Sequence, residues 1–360
     1  LKSLLRIGGG ITIFRVLDNL LRCPKCRGAV RRAGSSYVCN YCSTKWPVVG
    51  GIPSFNTHPF YWAQVPKIRM KKLIEIAKKQ NWKIALEKIL LPAADESTFS
   101  YAVDESRGDW HFMLPIKRGS RVLDIGCGWG PTTVALARYY DVVGADSTFE
   151  TLQFLKIRAE QEGLKLPLIR IDPLDYGRLP FADSSFDMVV LNGVLEWVGT
   201  SRVDMPPDKC QKLALSEIAR ILKPDGGIYI GIENRFAYTA FLGATEHGNI
   251  PFADIMPRKL ANWFSKLGKK SFRTYIYSYR GYKKLLEECG FQRVKFYFPL
   301  PSYRDPVFIF TEDNQKAAEF FVRNKIIRSP LRRALFALLF CLKVEKLFIY
   351  SYGIFARVKK

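Results

Sequence analysis

The sequence predicts an α/β fold in which a mostly parallel sheet carries helices on both faces, with a small metal-held domain in front and helical, aromatic additions behind. Two observations carry that reading. From residue 119 onward, apolar β-branched runs alternate with amphipathic segments of helical period, the pattern of strands buried between two layers of helices. Ahead of them, Cys23, Cys26, Cys39 and Cys42 form two C-x2-C pairs, a spacing that suits an ion better than disulfides.

Composition bounds the rest. The 360 residues are 48% apolar, which excludes a disordered chain, and no uncharged apolar run approaches the roughly 18 residues of a membrane span. The net charge of +23 is unevenly placed: residues 1–90 carry 17 basic and 3 acidic side chains, 91–255 carry 16 and 23, and 256–360 carry 23 and 7. Basic flanks predict an anionic partner, namely a membrane surface, a phosphorylated carrier or RNA, whereas the acidic middle suits a cationic ligand.

Taken in order, residues 1–20 read as a basic arm and 21–55 as the metal-held unit. In LRCPKCRGAVRRAGSSYVCNYCSTKWPVVGGIPSF each knuckle brings two thiolates together, and four sulfur ligands in a tetrahedron suit Zn²⁺. So short a segment cannot close its own core, so the metal supplies most of its folding free energy. The other cysteines, Cys127, Cys210, Cys289 and Cys341, read as free thiols in a reducing compartment. The ending WPVVGGIP resembles a small zinc-ribbon family that includes the compact activator subunits of tRNA and translation-factor methyltransferases. The resemblance implies a docking or scaffolding role, including contact with a protein partner, since four thiolates leave no open coordination position.

Residues 56–118 read as a basic helical linker with apolar positions such as Ile68, Leu73, Ile76, Ile84, Leu86 and Ile89, and with His58 and His111 in structural roles. RVLDIGCGWG is then an apolar strand entering a G-x-G-x-G turn ahead of the helix PTTVALARYY. Glycines let the backbone turn tightly and a ligand lie against it. Asp124, just before the turn, would repel a pyrophosphate, so a cofactor with a positive sulfonium and no phosphate fits better. The next strand, DVVGAD, ends in Asp146, where a carboxylate accepts ribose hydroxyls. A third strand ends in Asp172 and a fourth in Asn192, with Asp187 at a strand start.

VLDIGCGWG, Asp146, the run from Asp172 through LPF to FD, and EIARILKPDGGIYIGIEN resemble class I S-adenosylmethionine-dependent methyltransferases over residues 119–312, with a lid insertion at 236–276. The resemblance implies a Rossmann-like sheet of seven strands and S-adenosylmethionine as cofactor. It also implies that Asp124, Gly126, Gly128 and Gly130 surround the methionine part, Asp146 the ribose and Asp172 the adenine amino group, with Asn192 near the sulfonium. Pro173 departs from the pattern, because it has no amide N–H for the adenine ring.

The stretch after the fourth strand bears on the acceptor. NGVLEWVG stands where aminomethylating enzymes carry N-P-P-[YF], and a Pro-Cys nucleophile is absent, so a hydroxyl ranks first. Such an acceptor needs in-line placement and a base. His247, in the glycine-flanked loop GATEHGNIPF, is the expected base. Glu196, Glu233 and Arg235, at strand ends, are expected either to bind a sugar hydroxyl and a phosphate or to pair with each other. The pattern continuing through LPSYRDP is similar to bacterial methyltransferases associated with surface-glycan clusters, which implies a glycan, glycolipid or small hydroxylated acceptor. A zinc-ribbon methyltransferase of ribosomal RNA ranks second and a non-catalytic cofactor-binding partner third.

Residues 313–360 read as a basic amphipathic extension. SPLRRALFALLFCLKVEKLFIY is a helix whose apolar face covers the sheet or lies on an anionic membrane, and SYGIFARVKK is a late strand. The expected location is the cytoplasm, peripheral to the inner membrane face.

Overall fold

The computed structural model describes residues 17–359 apart from 57, 201, 203, 245–249, 268–271, 315, 318, 321–323 and 325–329. The chain divides into two compact units: residues up to Leu191 together with Ser216–Gly227, and Asn192–Leu215 together with Ile228–Lys359.

The first unit opens with a four-stranded antiparallel sheet in chain order, β1 (Val30–Ala33), β2 (Ser36–Cys39), β3 (Lys45–Val49) and β4 (Ile52–Pro53). Two-residue loops join its outer pairs. Gly50 and Gly51 both take positive φ (57° and 83°) between the paired Val49 and Ile52, the backbone that a tight hairpin requires and that glycine supplies without steric cost.

Three helices follow: α1 (Lys67–Lys79), α2 (Trp82–Leu90) and α3 (Glu96–Val103). Asn81 caps α2 through the Lys83 amide, and Asp95 caps α3 through the Thr98 amide. Met70, Leu73, Ile74 and Ala77 of α1 meet Ala85, Leu86, Ile89 and Leu90 of α2 in one core that also takes in Trp129 and Phe154. Ile68, on the opposite face of α1, lies exposed.

The central elements are β5 (Arg121–Ile125), α4 (Pro131–Ala137), β6 (Asp141–Asp146), α5 (Phe149–Gln161), β7 (Leu168–Arg170), β8 (Phe186–Asn192), α6 (Pro207–Ile221) and β9 (Leu222–Glu233). β5 runs parallel to both β6 and β8, and β6 runs parallel to β7, with Asp124 in register with Gly144 and Val190. Lys223 and the Arg121 amide hold Asp187 at the start of β8. The four-stranded sheet joins this edge directly: Ser54 bridges Arg170 in parallel, and the Phe55 amide donates to the Arg170 carbonyl at 2.8 Å.

The second unit holds α7 (Tyr238–Phe241), α8 (Arg258–Leu267), α9 (Tyr279–Glu288), β10 (Phe291–Leu300), β11 (Phe308–Thr311), α10 (Pro330–Cys341), α11 (Glu345–Phe348) and β12 (Ser351–Val358). The order along the large sheet is β11-β10-β12-β9-β8-β5-β6-β7, and β9 itself passes through both units. Seven strands were expected and eight are found among the described residues. The eighth is β11, which folds back antiparallel on β10, with Tyr297 opposite Thr311. The late strand at SYGIFARV is β12, and it lies between β9 and β10. In α10, Phe336 and Leu339 are buried, with Phe336 against Tyr238 and Phe340 against Phe310, so the apolar face of this helix packs within the unit. Among the described residues no helix is long and apolar enough to cross a membrane.

Candidate functional site

The four knuckle cysteines converge. The Sγ atoms of Cys23, Cys26, Cys39 and Cys42 all lie within 4.8 Å of one another, with Cys26 to Cys39 at 3.4 Å and Cys23 to Cys42 at 3.7 Å. A zinc ion bonded to four thiolates at about 2.3 Å sets its sulfurs about 3.8 Å apart, so the donor set fits. Gly28 keeps the space open, since a Cβ there would come within 3.0 Å of the Cys39 sulfur and 3.3 Å of the Cys26 sulfur. The amides of Tyr41 and Cys42 both donate to Cys39 Sγ at 3.4 Å.

This ribbon rests on its own chain. Leu20 and Arg22 exchange backbone hydrogen bonds with Ala182 and Pro180 of the LPF loop. Trp46 stacks on Phe55 and meets the edge of Tyr176.

Above the strand ends of the first unit, Gly126, Gly128 and Gly130 all take positive φ (76°, 48° and 88°). Gly130 is also fixed by packing, because a Cβ would fall 2.1 Å from a Leu155 methyl carbon. At Gly128 the nearest atom to such a Cβ is 3.9 Å away, which leaves the bare backbone turn open to a ligand. Its amide donates to Asp146 at 2.9 Å, and the Thr148 amide donates to the other carboxylate oxygen at 2.7 Å. Burial raises the pKa of Asp146 while these amides oppose the rise. Asp124 is buried, accepts from the Thr133 hydroxyl at 2.6 Å, and has its pKa pushed up to about 7 by desolvation, with the charge of Asp146 adding to the effect. Two neighbouring carboxylates held this way fit a cationic cofactor with ribose hydroxyls. Asp172 sits partly exposed in the next loop, accepting from the Leu174 amide at 2.9 Å.

The linker adds a feature that the motifs did not show. Trp62 and Thr148 exchange two hydrogen bonds (3.1 and 2.9 Å), and Gln64 accepts from the Trp129 indole. Residues 62–64 are thus fastened beside the glycine turn and Asp146, with Trp62 itself 45% exposed. The signal available in sequence was an aromatic run, Phe60, Tyr61 and Trp62, just ahead of the basic helical stretch. His111 is buried against the Tyr140 hydroxyl at 3.0 Å, a structural place, and His58 is exposed.

The second unit gathers its own polar cluster. Asn192, Glu196, Glu233 and Tyr303 are all buried. Glu233 Oε1 accepts from the Tyr303 hydroxyl at 3.1 Å and from Arg304 at 2.5 Å, while the Tyr282 hydroxyl donates to the Glu233 carbonyl at 3.0 Å. Two glycines make room: a Cβ at Gly231 would fall 2.0 Å from Asn192 Oδ1, and one at Gly193 would fall 2.8 Å from the Tyr303 hydroxyl oxygen. Tyr303 and Arg304 come from the SYRDP sequence, which the strand-end reasoning passed over because it lies after β10. Arg235 donates to the carbonyls of Asp254 and Met256 and so ties down the segment before α8. His247 lies outside the described residues.

Residues 123–230 match the family model described as a methyltransferase domain. Demethylmenaquinone methyltransferase of Bacillus cereus is 30% identical over 196 residues, 51% of this chain and 74% of that protein. Methyltransferase GfsG of Streptomyces halstedii is 35% identical over 119 residues, 32% of this chain and 39% of its own length. This chain therefore spans well under half of GfsG. Similar solved structures include phosphoethanolamine N-methyltransferase 2 of Haemonchus contortus bound to S-adenosyl-L-methionine, at a TM-score of 0.41 and 15% identity over 78% of this chain and 60% of that one. The chain belongs to the class I S-adenosylmethionine-dependent methyltransferases.

Proposed function

We propose that this chain transfers a methyl group from S-adenosylmethionine to a hydroxyl of a glycan or glycolipid acceptor, and that zinc holds its ribbon. In this reading Asp124 and Gly126, Gly128 and Gly130 hold the methionine part of the donor, Asp146 the ribose and Asp172 the adenine, with Asn192 near the sulfonium. The observation that carries the acceptor class is the cluster around Glu233. Buried carboxylates and phenols accept hydrogen bonds from sugar hydroxyls, and the Arg304 guanidinium, bound to Glu233 and Tyr303 with its side chain 39% exposed, puts a positive charge where a carrier phosphate would meet it. Glu196 and Glu233 orient the acceptor hydroxyl, and His247 takes its proton as the new carbon–oxygen bond forms.

The test is transfer of labelled methyl from the donor to a panel that includes a glycolipid, demethylmenaquinone (the acceptor in a relative's name) and ribosomal RNA. The glycolipid should take the label, with little dependence on salt. Label in RNA that falls steeply with added salt would move the acceptor to nucleic acid.

A further inference from the structure

Thr148 stands at the N-cap of α5, but its hydroxyl is turned to another part of the chain. A threonine in that place ordinarily spends its hydroxyl on an amide of the helix's first turn, yet among the described residues the Thr148 side chain makes no cap bond. It accepts from the Trp62 amide at 3.1 Å and donates to the Trp62 carbonyl at 2.9 Å. Thr148 is 1% exposed, and its own amide donates to Asp146 at 2.7 Å. One buried residue therefore holds the linker with its side chain and the site carboxylate with its backbone.

The same linker is fastened at further points around the donor cradle. Arg170 donates to the carbonyls of Ser147 and His58, both at 3.0 Å. Gln64 accepts from the indole of Trp129, a buried residue inside the glycine turn. Lys67, the first residue of α1, pairs with Glu150 in the first turn of α5 at 2.8 Å. The linker thus reaches from the turn after β6, which carries Asp146, to the glycine turn after β5. Asp146 spans the same gap, since the Gly128 amide meets its second oxygen. Both turns lie at the carboxyl ends of parallel strands, where such sheets bind their ligands. Forgoing a helix cap costs stability, so the exchange is explained by what it holds in place.

We infer that residues 58–64 form a strap that sets the width of the donor cradle, and that Thr148 is its clasp, a positioning residue that acts on the donor through Asp146. A carboxylate oriented before its ligand arrives loses little freedom on binding. With the clasp released, that order has to be restored by the donor, and affinity falls. The inference rests on the ribose role proposed above for Asp146.

Titration calorimetry with S-adenosylmethionine tests this without an acceptor. Thr148→Val keeps the side-chain shape and the amide bond to Asp146 but not the hydroxyl, and should weaken donor affinity about tenfold. Circular dichroism should stay native, because Trp62 is exposed enough for water to take over its amide and carbonyl. In an Asp146→Ala background the same change should cost less than about twofold, since the clasp then has no carboxylate to hold. Thr148→Ser retains the hydroxyl and should bind within about twofold of the native chain. Gln64→Leu unties the strap from Trp129 at an exposed side chain and should weaken binding about threefold. Native affinity in Thr148→Val, or in Gln64→Leu should the first variant fail to fold, would overturn the inference. So would an equal loss in the Asp146→Ala background, or a loss that Thr148→Ser shares, because the hydroxyl would then only brace the fold. Native affinity in Asp146→Ala itself removes the ribose role and the clasp with it. A large loss there beside native affinity in Thr148→Val counts against the clasp alone.

Discussion

Arg27, on the first cysteine knuckle, forms an ion pair with Glu217 of α6 at 3.3 Å, and the two ends of that pair are unequal. Arg27 is half exposed, whereas Glu217 is buried and also accepts from the Leu179 amide at 3.0 Å and from Arg220 at 2.7 Å. Glu217 therefore ties the LPF loop, the helix and the ribbon together. Replacing it by Ala strands a buried amide and leaves Arg220 with its more exposed partner Asp183, a loss expected near 3 kcal/mol. Arg27→Ala removes a screened surface charge and should cost under about 1 kcal/mol. Urea denaturation of the two variants checks this, and equal losses would mean that Glu217 does not have the central place assigned to it.

Metal removal gives a second prediction. The ribbon continues into Phe55, which pairs with Arg170, and Arg170 donates through Nε to the Ser147 carbonyl at 3.0 Å, next to Asp146. Chelation should release about one zinc per chain and open the amides of residues 21–55 to hydrogen exchange, while β5 and β6 keep their protection. Through Arg170 the loss should also weaken S-adenosylmethionine binding severalfold. Calorimetry of the chelated protein, with affinity restored by added zinc, separates this effect from general unfolding.

Much of this was legible in the sequence, for physical reasons. The glycine turn, Asp146 and the cysteine knuckles announce themselves because each depends on local backbone geometry or ligand spacing, which a short window contains. The polar cluster of the second unit was only half legible. Glu233 stands at a strand end where the fold rule looks, but its partners Tyr303 and Arg304 arrive some seventy positions later, brought in by tertiary pairing alone. The linker contact of Trp62 with Thr148 spans a similar gap. The strand count missed β11 because a four-residue hairpin arm, Phe308–Thr311, carries too little periodicity to stand out.

Asp146 gives the third prediction. Its carboxylate already accepts from the Gly128 and Thr148 amides, yet it remains partly exposed at the end of β6. Asp146→Asn keeps one acceptor oxygen and should weaken S-adenosylmethionine binding about tenfold. Asp146→Ala, which also frees the Gly128 amide, should weaken it by one to two orders of magnitude, roughly the worth of charge-assisted hydrogen bonds. Titration calorimetry measures both, and unchanged affinity would remove Asp146 from the ribose role.

Asp124 makes a pH dependence the fourth prediction. Its pKa is raised from 3.8 to about 7 by burial, so the folded protein holds this proton more tightly than the unfolded chain. The sign is that stability from this group is greatest below about pH 4, declines as pH rises toward 7, and is level above it. A cationic donor favours the ionised form. Its affinity should therefore rise with pH, by about tenfold between pH 6 and pH 8 for a ligand that binds only the carboxylate. Asp124→Asn keeps an acceptor for Thr133 and should flatten the dependence, leaving only the titration of the donor itself. A native profile identical to that of the variant would show that Asp124 does not titrate in this range.

The Glu233 and Arg304 pair supplies the last prediction, because stability and turnover should separate there. Glu233 is 2% exposed and Arg304 39% exposed, so the arginine is the solvated end and its removal takes the cation from a buried carboxylate that still accepts from the Tyr303 hydroxyl. Arg304→Met alone should cost roughly 2 to 3 kcal/mol, below the full cost of breaking a buried pair because water reaches the vacated side. Adding Glu233→Gln removes the stranded charge and should recover most of that loss. If the pair only braces the fold, turnover should recover along with stability. If it holds the acceptor, the double variant should stay at least a hundredfold slow at an unchanged donor affinity, since Gln and Met replace neither the carboxylate nor the guanidinium that meet the substrate. Denaturation, calorimetry and single-turnover rates on the three variants decide between the two.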